Sequence, residues 1–154
     1  MKRLSCFFAA LSLSTAVFAG AAEQIEVHEP YIRLAPPNAM ATGAFMVIRN
    51  TGTKDVKMVK ADNPASKITE LHTHINDNGV MRMRQVPAID VPAKGEAVLQ
   101  PGGLHVMLID MKAALTEGQS VPITLTFDDG SSKQIDVKVK KMMPAGMQMK
   151  HGHH

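Results

Sequence analysis

The sequence predicts an all-β domain, a sandwich or barrel of short strands. Three observations lead there: short apolar or alternating runs, turn-forming clusters between them, and a spacing of roughly 8–12 residues from one run to the next. Gln24 to Leu34 alternates in part, and Gly43 to Arg49 is an apolar run that stops at Asn50-Thr51-Gly52. Lys54 to Lys60 follows. Ile68 to Ile75 and Val80 to Val86 flank Asn76-Asp77-Asn78-Gly79. Ala97 to Leu99 precedes Pro101-Gly102-Gly103, and Leu104 to Ile109 comes after it. Ser120 to Phe127 and Ser132 to Val139 are joined by Asp128-Asp129-Gly130, a hairpin turn in which the carboxylates serve turn formation. Met111 to Leu115 reads as one helical turn. No internal repeat or second domain is visible in the 154 residues.

The two ends read differently. Residues 1–22 form a signal peptide: Lys2 and Arg3 precede an apolar run from Leu4 to Phe18, and small residues allow cleavage between about Ala19 and Ala22. That run is short for a transmembrane span, and no other run is long enough, so stable membrane insertion is not expected. Removing Lys2 and Arg3 leaves 15 basic and 14 acidic residues, lowering the formal charge from +3 to +1. With aromatics at 4%, there is little positive field and no stacking platform for nucleic acid. Cleavage also removes Cys6, the only cysteine, which excludes disulfides, thiolate ligands and thiol catalysis in the exported chain. Residues 23–140 form the domain, and residues 141–154 form a flexible tail rich in Met and His.

Twelve methionines are far more than an ordinary domain of this length carries. Met46, Met58 and Met111 fit core positions, while Met40 sits in a Pro-flanked loop. The others gather near histidines. If Asn76 to Gly79 is a four-residue turn, His74 faces Met81 and His72 faces Met83, with all four on one side of the hairpin. Leu71, Thr73, Arg82 and Arg84 then point the other way, the arginines to solvent. His105 and Met107 share a face by the same alternation. Thioether sulfur is soft and neutral and suits Cu(I), whereas it is a poor ligand for Zn(II), Mg or Ca. Imidazole serves copper in both oxidation states. Two imidazoles and two thioethers would hold Cu(I) near the surface as transferable cargo. His28 reads as a surface histidine.

His72, Met83, His105 and Met107 follow the spacing H-X10-M-X21-H-X-M. With Glu70-Leu71-His72, Gly79 to Arg84, and Pro101 to Met107, the chain resembles the periplasmic copper chaperones of the PCuAC type from about Ile25 to Lys140. The resemblance implies a cupredoxin-like Greek-key β-sandwich with Cu(I) at those four residues. It also implies delivery to the CuA site of cytochrome c oxidase, alongside a Sco-type protein. The tail resembles an extension that supplies a further copper site, including one for Cu(II). His74, Met81, Met142, Met143, Met147, Met149, His151, His153 and His154 are the auxiliary candidates.

No Ser/His/Asp set, carboxylate pair or phosphate loop can be read from the sequence, and a blue-copper centre would require the missing Cys. The chain is therefore expected to be a metallochaperone, not an enzyme. The competing readings are a copper buffer that sequesters the ion and a metal-free adaptor with a Met-rich face. A monomer is expected, with a copper-bridged dimer available through the tail.

Overall fold

A computed structural model describes residues 20–142. The chain forms β1 (Ile25–Arg33), β2 (Ala41–Asn50), β3 (Val56–Asp62), β4 (Ser66–Asp77), β5 (Val80–Gln85), β6 (Ile89–Val91), β7 (Glu96–Leu99), β8 (His105–Met111), β9 (Ser120–Phe127) and β10 (Ser132–Lys140). One 3-10 turn, Ala21–Gln24, precedes β1. The strands follow the hydrogen-bonded order β5-β4-β8-β2-β1-β10-β9-β3-β6, with β7 also pairing β2, and the path ends open at β5 and β6. The two halves of the path pack on one core, in which Met46, Ile48, Val106 and Leu108 meet Met58, Ile123, Leu125, Phe127 and Val137. This is the all-β architecture that the strand pattern predicts, in the cupredoxin-like form that the resemblance implies.

Alternation explains most of the strands. In β9, Val121, Ile123, Leu125 and Phe127 are buried, and each is separated by a polar or half-exposed neighbour, the signature of a strand with one face on a core. β1 alternates only in part because its pairing with β2 shifts between His28 and Tyr31, where Glu29 adopts φ 51° ahead of Pro30. That irregularity is a bulge that bends the strand. Its second half, Tyr31 to Arg33, also runs parallel to Lys138–Lys140 of β10. Along one edge of β2, residues 41–44 pair with β8 and residues 46–49 pair with β7.

The turns behave as their chemistry dictates. Asn50 is fully buried, yet its amide donates to the carbonyls of Lys54 and Val91 and its oxygen accepts from Gly52 N–H. Asp129 accepts from the N–H groups of Ser131 and Ala21, tying the 3-10 turn to the β9–β10 hairpin. Those bonds hold its carboxyl below the usual carboxylate range.

One expectation needs correction, and one strand was not foreseen. Met111 to Leu115 is not a helical turn: Met111 ends β8, and Met111 and Lys112 donate backbone hydrogen bonds to Met40 and Ala65 instead. Strand β6, only three residues between Pro87 and Pro92, escaped the sequence reading because it is too short to display a period. Among the described residues no helix is long and apolar enough to cross a membrane.

Candidate metal centre

The β4–β5 hairpin turns more tightly than expected. Asp77 pairs with Val80, so the turn is the two residues Asn78-Gly79, at φ 52° and 85°. Asn-Gly is the pair that best tolerates two consecutive positive φ values, and a two-residue turn of this kind matches the twist of its strands. The register is therefore shifted by two from the expected one. Asn76 pairs with Met81, His74 with Met83, and His72 with Gln85. An even shift preserves the face, so His72, His74, Met81 and Met83 still share one side. Their cross-strand partners change, and His74 instead of His72 stands opposite Met83.

Strand β8 lies against the other edge of β4, with His105 paired to His72 and Met107 to Glu70. The intervening residues Leu71 and Val106 pair with each other and are buried in the core. The same alternation that buries them turns His72, His105 and Met107 outward onto the far face of the sheet. His105 and Met107, far from His72 in sequence, thus become its neighbours.

His105 is almost fully enclosed, with 2% of its surface exposed. Its ring lies 5.3 Å from His74, 5.8 Å from His72 and 5.9 Å from Phe45, centroid to centroid. Phe45 in turn packs on Tyr31 at 5.3 Å and under the Arg33 guanidinium at 5.1 Å. It can lie this way because residue 43 is Gly: a Cβ there would stand 2.9 Å from the Phe45 ring. Gly43 pairs with Met107, so this small residue keeps the space over the thioether open.

The hydrogen bonds leave ring nitrogens available. His105 Nδ1 lies 2.9 Å from the Gly103 carbonyl, a pairing that requires Nδ1–H as donor and leaves the Nε2 lone pair free. His72 Nε2 lies 2.7 Å from Glu70 Oε2. Donation to that carboxylate leaves Nδ1 as its lone-pair nitrogen, and Nδ1 is buried without a partner among the described residues. His74 Nδ1 is also buried and unpartnered. Buried polar atoms are rarely left this way. Fixing one ring nitrogen with a carbonyl or carboxylate and presenting the other is the usual support for a metal-ligating histidine.

Arg33, Gly43, Phe45, His74, Met83, His105 and Met107 are among the residues lining one partly open cavity. Met83 is 42% exposed and Met107 is half-buried. Met81, 56% exposed, shares the hairpin face but does not line the cavity. Among the described residues no three His, Cys, Asp or Glu side chains are close enough to hold an ion by themselves. The cavity also offers the thioethers of Met83 and Met107 as donors.

Other candidates fall elsewhere. Met46 and Met58 are core, Met111 packs against the core from its edge, and Met40 is exposed. His28 is a surface residue bonded to Glu26. Arg82 pairs with Asp77 at 2.9 Å, and Arg84 is exposed. Met142 is exposed at the end of the described chain, whereas Met143, Met147, Met149, His151, His153 and His154 lie outside the described residues. The sequence reading missed Glu70, Gly103, Phe45 and Gly43 as supporting parts. Glu70, two residues before His72 and hence on its face, was the one it could have found.

Burial pushes His105 below its ordinary value of 6.5, and the nearby His74, His72 and Arg33 push in the same direction against the Gly103 bond. Burial thus favours the neutral ring in the native state. Between its native pKa and the unfolded value, the unfolded chain binds the proton and the native chain does not, so stability falls as pH drops through that window. Denaturant midpoints measured at about pH 7.5 and about pH 5.5 should drop more for the wild-type chain than for His105→Gln. Equal drops would show that His105 is not held neutral by the fold.

Residues 25–139 match the family described as "Putative lipoprotein LpqE-like". The chain is 33% identical over 120 residues to a putative lipoprotein of Leifsonia xyli subsp. xyli, covering 77% of this chain and 71% of that protein. Its fold matches the solution structure of CuI-DR1885 from Deinococcus radiodurans with a TM-score of 0.65 at 32% identity, covering 80% and 82% of the two chains. It also matches the copper-bound PCuAC domain from PmoF2 with a TM-score of 0.67 at 20% identity, over 80% of this chain and 97% of that one. By sequence the chain belongs to the LpqE-like family, and its fold is that of the PCuAC domains.

Proposed function

We propose that this chain is a periplasmic copper metallochaperone that carries Cu(I) on His72, Met83, His105 and Met107 and delivers it to a membrane oxidase at the CuA site of cytochrome c oxidase. The carrying observation is the donor set: Met83, Met107 and His105 line one partly open cavity, and His72 presents a buried, unpartnered Nδ1 beside His105. Two thioethers and two neutral imidazoles match a soft monovalent cation. The relative at 32% identity is a Cu(I) form by its description, which supports the same cargo here.

The geometry suits transfer. Four neutral ligands leave the ion's charge uncompensated within the donor set, Arg33 on the cavity wall adds a like charge, and the Glu70 carboxylate stands behind His72. Held at a partly open mouth, the ion is reachable by an acceptor's own ligands. The leader read at residues 1–22 supplies the export, with the tail of residues 141–154 as an auxiliary copper site that also accepts Cu(II).

Cu(I)-loaded protein mixed with an apo CuA domain is expected to metallate it. Copper that stays on this protein at equilibrium would overturn delivery and leave the buffer reading. Under the buffer reading, deleting residues 141–154 would impair copper tolerance more than oxidase assembly. The delivery reading expects the reverse ranking when the cavity histidines are replaced.

A further inference from the structure

We infer that His74 is an exchange ligand, a third imidazole that takes hold of Cu(I) at the cavity mouth while one of the four resident ligands lets go. This rests on the copper reading above, but not on the identity of the recipient.

Four observations place His74 in that role. The hairpin register sets it opposite Met83, a position His72 does not occupy. It lines the cavity together with Met83, His105 and Met107, whereas His72 does not. Its ring lies 5.3 Å from that of His105, closer than the 5.8 Å of His72. Its Nδ1 is buried and has no hydrogen-bond partner among the described residues.

The two hairpin histidines differ in how they are held. His72 is locked by Glu70 at 2.7 Å, the kind of outer bond that fixes a ligating ring. No side-chain hydrogen bond among the described residues fixes the His74 ring. Two sets of four donors, each with two imidazoles and two thioethers, thus share Met83, His105 and Met107. The seated set is completed by His72, fixed by Glu70, and the open set by His74, which no carboxylate holds. Passing between them exchanges one neutral imidazole for another. The ion keeps its oxidation state and coordination number, no proton moves, and no under-coordinated Cu(I) has to form on the way. At the mouth, the incoming donor of an acceptor displaces a ligand with no carboxylate restraining it.

The test separates equilibrium from rate. Purified chain lacking the leader is loaded with Cu(I), and transfer to a chromophoric Cu(I) chelator is followed by stopped flow, alongside an equilibrium competition with the same chelator. For His74→Ala and His74→Gln, the expected result is unchanged stoichiometry and equilibrium affinity within a few-fold of wild type, with transfer slowed on the order of tenfold. For His72→Ala the expected result is a loss of equilibrium affinity. Unchanged transfer rates in both His74 variants would overturn the inference. So would an affinity loss in both that equals that of His72→Ala, since His74 would then be a permanent ligand. Failure of the wild-type chain to bind Cu(I) would overturn the copper reading itself, and it is read before any variant is compared.

Discussion

His105→Ala is expected to abolish Cu(I) loading at the cavity while leaving the domain folded. The imidazole sits at the centre of the site, against His72, His74 and Phe45, with Nδ1 fixed by the Gly103 carbonyl. Losing an outer partner of a ligating histidine already costs roughly 10–100-fold in metal affinity, and removing the ligand itself should cost more. His72 and His74 cannot compensate, because both stand on β4 and neither can take the place of a donor from β8. Competition against a Cu(I) chelator measures the affinity, and a denaturation midpoint at neutral pH checks the fold. His105 lies on the outward face of the sheet, so its truncation leaves the apolar cluster beneath intact. Near-wild-type affinity in a folded variant would place the ion elsewhere.

Phe127→Ala is the complementary case, with a large stability loss and little change at the site. Phe127 is 1% exposed, the largest of the fully buried side chains, and pairs with Met58 from β9 to β3. Phe→Ala truncations in cores cost about 3–5 kcal/mol through lost transfer energy and the cavity left behind. Domains of this size have about 5–15 kcal/mol in total, so a large share of the stability is at stake. Urea titration should show a lower midpoint at nearly unchanged slope. The fraction that remains folded should bind Cu(I) at the cavity with wild-type affinity, because β9 contributes nothing to the cavity lining. A loss of affinity at full foldedness would show that site and core are coupled through the sandwich.

Most of the architecture was legible because β-strands write their orientation into the sequence. The strict alternation of Val121, Ile123, Leu125 and Phe127 reveals both a strand and its inner face. β6, at three residues, carries no such signal. Met111 misled because a short amphipathic stretch reads equally well as a helical turn or as the end of a strand. Core and exposed methionines divide as expected, since Met46 and Met58 lie on apolar strand faces and Met81 and Met83 do not.

For the site, local sequence was enough to put His72, His74, Met81 and Met83 on one face and His105 with Met107 on another, because alternation has a period of two and survives any even register shift. Which histidine stands opposite Met83 was not legible: it depends on whether the turn takes two residues or four, and the left-handed backbone at Asn78-Gly79 decides that. That β8 lies beside β4, and that Phe45 closes over Gly43 to enclose His105, is a matter of long-range pairing and packing. The sequence by itself determined the chemistry of the donors and their faces. Only the tertiary structure brought those faces together on one sheet and set Glu70 and Gly103 to hold one nitrogen of His72 and of His105. Such contacts come from pairings between strands distant in the chain, which no local period encodes.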